Sequence, residues 1–89
     1  MVTAFVWGNV ELGYEEKVVE ELQRRPEISE ARLVMGVYDF VARVQARDLP
    51  ELKKYISGSE GYQGIRQLKG IRSTFTDIII ESIIKEPAR

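Results

Sequence analysis

Two short stretches carry the side chains best suited to recognising a small molecule. Val34-Met35-Gly36-Val37-Tyr38-Asp39-Phe40 sets a glycine, a phenol and a carboxylate close together between two β-like runs. Gly70-Ile71-Arg72-Ser73-Thr74-Phe75-Thr76 sets three hydroxyls at the start of an Ile-rich run. A small amino acid is a fitting guest for such groups. Its ammonium needs a carboxylate, which Asp39 offers, and its carboxylate needs backbone N–H and hydroxyl donors. Each stretch also has a plainer reading. Gly36 to Asp39 are turn-favouring residues, and Ser73, Thr74 and Thr76 suit any strand. Catalytic alternatives are poorly supplied. The 89-residue chain has no Cys and no His, which removes thiol chemistry, disulfides, zinc sites of the usual kind and the commonest general base. No EF-hand spacing occurs and no pair of acids stands out for acid–base work. Neither a metal nor a cofactor is expected.

Those groups need elements to position them, and composition bounds what the elements can be. A chain of this length buries roughly 60–65% of its unfolded surface, so it has little apolar surface to leave exposed. A hydrophobic fraction of 44% with 30% charged residues reads as globular. The net charge of −1 argues against nucleic acid as a principal partner, because phosphate binding rests on clustered positive charge. Arg66, Lys69 and Arg72 form a short basic cluster. It is too small for a nucleic-acid groove but able to receive an anionic ligand or a partner's carboxylates. The longest apolar run of the last strand is Ile78-Ile79-Ile80, far short of the roughly 20 residues a membrane span requires. The N-terminus lacks the basic region and cleavage pattern of a signal peptide. A cytoplasmic protein without membrane partners is the expectation.

Along the chain, Val2 to Val10 reads as a strand rich in Val, Phe and Trp. Tyr14, Val18 and Leu22 then recur on one helical face between Tyr14 and Arg25, opposite Glu15, Glu16, Glu20 and Glu21. Early acids and the late Arg24-Arg25 pair suit the helix dipole, and Pro26 ends the helix. Ile28 to Met35 and Tyr38 to Ala46 read as two strands of a hairpin turning near Gly36. Asp48 is placed to cap a second helix with Pro50 in its first turn, and Leu49, Leu52 and Ile56 form its buried stripe. From Ser57 to Gly70 the pattern loosens into a glycine-bearing, flexible loop with a short helical turn at Ile65 to Leu68. A last strand runs from Ile71 to Ile84. The order is β-α-β-β-α-β: an α+β, ferredoxin-like fold, with a four-stranded antiparallel sheet and two helices on one face. A single domain over residues 1–85 is expected, with residues 86–89 as a frayed tail.

The uncovered sheet face bears on quaternary structure. In the first strand Val2, Ala4, Val6, Gly8 and Val10 alternate with Thr3, Phe5, Trp7 and Asn9. In the last strand Ile78, Ile80 and Ile84 share one face, and Phe75, Ile79 and Ile83 the other. A sheet half exposed to water alternates apolar with polar residues, whereas here both faces carry large apolar side chains. Phe5 and Trp7 therefore mark a dimer interface, which a second copy of the sheet would cover in a barrel-like α+β assembly.

The element order, the Met35-Gly36-Val37-Tyr38-Asp39 turn and the Gly70-Ile71-Arg72-Ser73-Thr74-Phe75-Thr76 segment together resemble the leucine-responsive regulatory protein/AsnC family. More narrowly, they resemble its effector module, the RAM domain, from Val2 to about Ile84. The resemblance implies a non-enzymatic module that binds an amino acid effector near the contact between dimers of a larger ring such as an octamer. Carried over by position, Gly36, Tyr38 and Asp39 would form the turn side of the ligand site, and Ser73, Thr74 and Thr76 the strand side. Gly36 would let the backbone approach the ligand closely. Thr74 and Thr76 would donate to the ligand carboxylate or hold Asp39 in place. Full-length members carry a helix-turn-helix domain, and none fits before Val2. The likeness is therefore to stand-alone RAM proteins, which would modulate full-length regulators of the family without binding DNA directly. A second departure is the segment from Ser57 to Gly70, longer than the usual link to the last strand. Two other functions fit the same topology: a small dimeric enzyme of oxygenase or isomerase type, and a purely structural oligomerisation domain.

Overall fold

The computed structural model describes residues 1–80. Its elements are β1 (Val2–Val10), α1 (Glu15–Gln23), β2 (Ile28–Leu33), β3 (Phe40–Ala46), α2 (Leu49–Ser57), a 3-10 turn (Ile65–Gln67) and β4 (Ile71–Ile79). The strands form one antiparallel sheet in the order β2-β3-β1-β4. With both helices packed on one face, this is the ferredoxin-like α+β fold that the alternation of elements predicts. Ile83, Ile84 and the expected tail over 86–89 lie outside the described residues.

Side-chain parity in β1 decides which face is the core. Ala4, Val6, Gly8 and Val10 are buried, while Thr3, Phe5, Trp7 and Asn9 are half-buried on the opposite face. Beneath the helices, Val6, Phe40 and Val44 meet Val18 and Leu22 of α1 and Leu52 and Ile56 of α2. Transfer of these side chains from water contributes about 1.5–3 kcal/mol each, which is why the amphipathic stripes rather than helix propensity hold such short helices.

Local chemistry sets the boundaries. Asp48 caps α2 by accepting the Glu51 N–H at 2.9 Å, Pro50 sits in the first turn, and Gly58 at φ +89° ends the helix. α1 is shorter at both ends than its periodicity predicts. Tyr14 serves as its cap, and the Glu15 carboxylate accepts the Gly13 N–H at 3.1 Å. Arg24 is the C-cap of α1 and Arg25 follows it, so the two arginines stand just past the last turn rather than within it. β2 stops at Leu33 and β3 starts at Phe40, because the Val34 N–H donates to the Asp39 carbonyl at 2.9 Å and closes a loop over residues 34–39.

The segment 57–70 reads as a flexible loop in the sequence but is tied at several points. Ser59 and Tyr62 exchange two backbone hydrogen bonds of 3.0 Å, and the Gln67 side chain accepts the Gly64 N–H at 2.7 Å. Ile65 is fully buried. Gly58 and Gly64 serve close backbone approach rather than looseness. A Cβ on Gly64 would lie 2.3 Å from the Gly58 nitrogen.

Gly8 is a point of close approach between core and sheet. A Cβ there would sit 2.3 Å from the ring of Phe40, itself fully buried, and 3.0 Å from the Ser73 carbonyl oxygen. Gly8→Ala is expected to destabilise the fold by about 1–3 kcal/mol, the usual cost of overpacking. Urea denaturation should show a lower midpoint at constant slope. The Gly8→Ala/Phe40→Leu pair should be less destabilised than the sum of its singles. Strict additivity would show that the two side chains do not compete for the same space.

Candidate functional site

Asp39 is held where β3 gives out beside β1. Its N–H donates to the Gly8 carbonyl at 2.8 Å, and its Oδ2 accepts the Val10 N–H at 2.9 Å. Gly8 is the last β1 residue paired with β3, opposite Phe40. The carboxylate therefore supplies the next rung of the ladder in place of a backbone carbonyl. The second oxygen, Oδ1, has no donor among the described residues. A half-buried carboxylate with one oxygen fixed and the other unused is a positioned acceptor for a cation.

Tyr38 turns onto the open sheet face and joins an aromatic cluster. Its ring centroid lies 5.8 Å from that of Trp7 and 5.4 Å from that of Phe75. Trp7 and Phe75 are direct cross-strand partners, and the Trp7 indole N–H donates to Asp77 Oδ2 at 3.1 Å. Ser73 belongs to the same face, its hydroxyl accepting from the Asn9 amide at 3.4 Å. Phe75 and Ile79 remain 54% and 37% exposed, so the face keeps the apolar surface its sequence predicts. Gly36 occupies the loop tip at φ +144°, with nothing within 4 Å of a Cβ built on it. Met35 and Val37 flank it and are exposed.

Thr74 and Thr76 lie elsewhere. They pair with Gly8 and Val6, whose side-chain positions belong to the helix-covered face. There they line a groove of about 510 Å³ between β4 and α2. Within one chain the structure thus gathers Tyr38, Asp39 and Ser73 around the end of β1, with Gly36 at the loop tip, and sets Thr74 and Thr76 through the sheet. The threonine hydroxyls are not among the partners of Asp39.

Sequence reasoning passed over a buried polar network at the start of β2. Glu27 is 7% exposed, and its Oε2 accepts the Tyr62 hydroxyl at 2.7 Å and the Arg25 Nε–H at 2.8 Å. Its Oε1 is buried without a partner. Burial raises the Glu27 pKa, but the Tyr62 hydroxyl and the Arg25 guanidinium outweigh it, and the net direction is below the usual carboxylate range. Burial, then the bond to Glu27, pushes the Tyr62 phenol up. Arg25 and Lys54 also lie over the Tyr62 ring, 5.1 and 4.8 Å from its centroid. The network ties segment 57–70 to the corner between α1 and β2. No local pattern around Glu27 announces it, since its partner Tyr62 lies far along the chain. Among the described residues no group of three or more His, Cys, Asp or Glu is arranged to hold a metal, and no helix is long and apolar enough to cross a membrane.

Comparison with known proteins meets this geometry at the level of family. The chain is 35% identical over 78 residues to an uncharacterised HTH-type transcriptional regulator of Pyrococcus abyssi, a match covering 88% of this chain and 46% of that protein. It therefore spans about half the length of the curated relatives it matches. The crystal structure of FFRP-DM1 superposes with a TM-score of 0.82 at 36% identity, covering 90% of this chain and 100% of that one. A hypothetical protein from Pyrococcus horikoshii, PHS023, gives 0.81 at 35% identity, covering 92% and 93%. The profile described as Lrp/AsnC ligand binding domain matches residues 3–89, and by that match the chain belongs to the Lrp/AsnC ligand-binding domain family.

Proposed function

We propose that this chain is a non-enzymatic effector-binding and oligomerisation module, which takes a small amino acid beside Asp39 and modulates transcription regulators of its own family. The observation that carries the reading is the geometry of Asp39. Its backbone and Oδ2 are fixed by the end of β1, while Oδ1 has no donor among the described residues. Oδ1 receives the ligand ammonium, the open backbone around Gly36 admits the ligand, and Tyr38 and Ser73 border it. The fold relative from Neisseria meningitidis solved as an L-Met complex, at 11% identity and a TM-score of 0.76, is consistent with an amino acid guest on this architecture. The open sheet face with Phe5, Trp7 and Phe75 supports a homodimer, and the exposed loop tip at Met35 and Val37 supports a further contact between dimers. Ligand binding at such a contact would shift the assembly by mass action. The net charge of −1 favours action through partner regulators rather than through DNA phosphates.

Native mass spectrometry of the purified protein with each common amino acid tests the reading, since it reports subunit number and bound mass together. For an amino acid that binds, Asp39→Asn is expected to weaken affinity about tenfold to a hundredfold, the loss of a charge-assisted hydrogen bond. The asparagine oxygen still accepts from Val10, so the melting temperature should change little. Asp39→Ala removes that acceptor too and should cost about 1–3 kcal/mol of stability. Unchanged affinity in Asp39→Asn would reduce Asp39 to a strand-end fastener.

A further inference from the structure

The groove between α2 and β4 has a chemistry different from that of the Asp39 end. Its volume of about 510 Å³ falls within the usual range for small-molecule sites. Leu52 and Ile56 of α2 and Ile78 of β4 give it an apolar floor. Lys53 and Arg66 stand on its walls, and Thr74 and Thr76 present hydroxyls along β4. A smaller depression of about 230 Å³ continues it, sharing Arg66 and Thr74 and adding Arg72 and Ser73. None of Lys53, Arg66 and Arg72 forms an ion pair among the described residues.

Among the described residues no carboxylate lines either part. An amino acid bound here would leave its ammonium facing two or three cations with no anionic acceptor. An anion with an apolar body meets no such conflict. Its tail covers surface that is otherwise wet, since Leu49 at the rim is 57% and Ile78 45% exposed. Its head accepts from a guanidinium, an ammonium and the threonine hydroxyls. Arg66 stands where the apolar part gives way to the polar part, so the head belongs beside it.

We infer that the α2–β4 groove is a second binding site, which takes an aliphatic carboxylic acid without an amino group, its carboxylate at Arg66 and Lys53 and its chain on Leu52, Ile56 and Ile78. The site lies on the opposite side of the sheet from Phe5 and Trp7, so it stays open in a dimer built on that face. It does not depend on amino acid binding at Asp39.

Isothermal titration with straight-chain acids from butanoate to decanoate, with two-dimensional NMR to locate the site, tests the inference. Affinity should rise about three- to fourfold per added methylene until the groove is full. Octanoate should bind saturably and shift the amide signals of Ile56, Thr74, Thr76 and Ile78, leaving those of Phe5 and Trp7 in place. Octylamine and leucine should bind at least tenfold more weakly at the same signals. Arg66→Gln with Lys53→Gln should cost octanoate at least tenfold while the thermal melt of the free protein is kept. Four results would overturn the inference: equal binding of octylamine and octanoate, shifts confined to the open sheet face, octanoate affinity indifferent to the double substitution, or inorganic phosphate binding as tightly as octanoate. Octanoate binding that weakens as protein concentration rises would also overturn it, because a second copy of the chain would then be the occupant.

Discussion

Trp7→Glu is expected to convert the proposed dimer to monomer, or to a chain that no longer folds. Trp7 sits in the central strand β1 on the open face, directly across from Val41 on one side and Phe75 on the other. In a two-fold symmetric dimer every substitution enters twice, so two carboxylates would be buried in the same contact. Each would also stand close to Asp77, whose Oδ2 now accepts the Trp7 indole N–H at 3.1 Å. The variant therefore exchanges a donor for a like charge. A stable interface buries at least about 1,000 Å², and an uncompensated buried charge costs several kcal/mol. Two of them exceed what a contact of that size readily tolerates. Size-exclusion chromatography with light scattering at micromolar concentration reads the result. Trp7→Phe keeps the apolar surface and should remain dimeric. A folded, unchanged Trp7→Glu dimer would show that the open face is not the contact.

The fold was legible because its strongest signals are local. Alternation in Val2–Val10 fixed both the strand and which residues face the helices, and Asp48 with Pro50 marked the start of α2. The site was legible only in part. Residue type identified Asp39 as a carboxylate at a turn, but nothing in the sequence tells that Val10 N–H takes one of its oxygens. Ser73 and Thr74 were grouped in one site although neighbouring strand residues point to opposite faces. That rule was available from the sequence, and the structure obeys it: Ser73 meets Asn9 on the open face while Thr74 lines the α2 groove. The groove itself needs the position of α2 relative to β4, a tertiary fact. The same holds for Glu27. Nothing beside Pro26 and the helix end sets it apart, and only the return of segment 57–70 brings Tyr62 to it.

That network yields the other large effect, Arg25→Met. Arg25 and Glu27 side chains are 13% and 2% exposed, and their N–O distance is 2.8 Å. Removing the guanidinium leaves a buried carboxylate with the Tyr62 hydroxyl as its remaining side-chain donor and Oε1 still unpartnered. Breaking a buried pair by deleting one partner typically costs about 3–5 kcal/mol, and that loss is expected at pH 7. The pH dependence gives the sharper test. In the native protein the folded-state pKa of Glu27 lies below its unfolded value. Its contribution to stability is thus complete above the unfolded pKa and is lost as pH falls through the folded one. Without Arg25, burial is opposed by the Tyr62 hydroxyl and a backbone hydrogen bond alone, and the folded-state pKa moves up. The variant therefore forfeits the Arg25 share of that contribution above the unfolded pKa, about 4.3, where the carboxylate is ionised. The native-minus-variant difference in urea unfolding should accordingly be large at pH 7 and shrink toward pH 4. Adding Glu27→Gln removes the uncompensated charge and should return much of the lost stability at pH 7. A difference that stays constant between the two pH values would assign the cost to the packing of Arg25 on Tyr62 and its bond to the Gln63 carbonyl, not to the charge of Glu27.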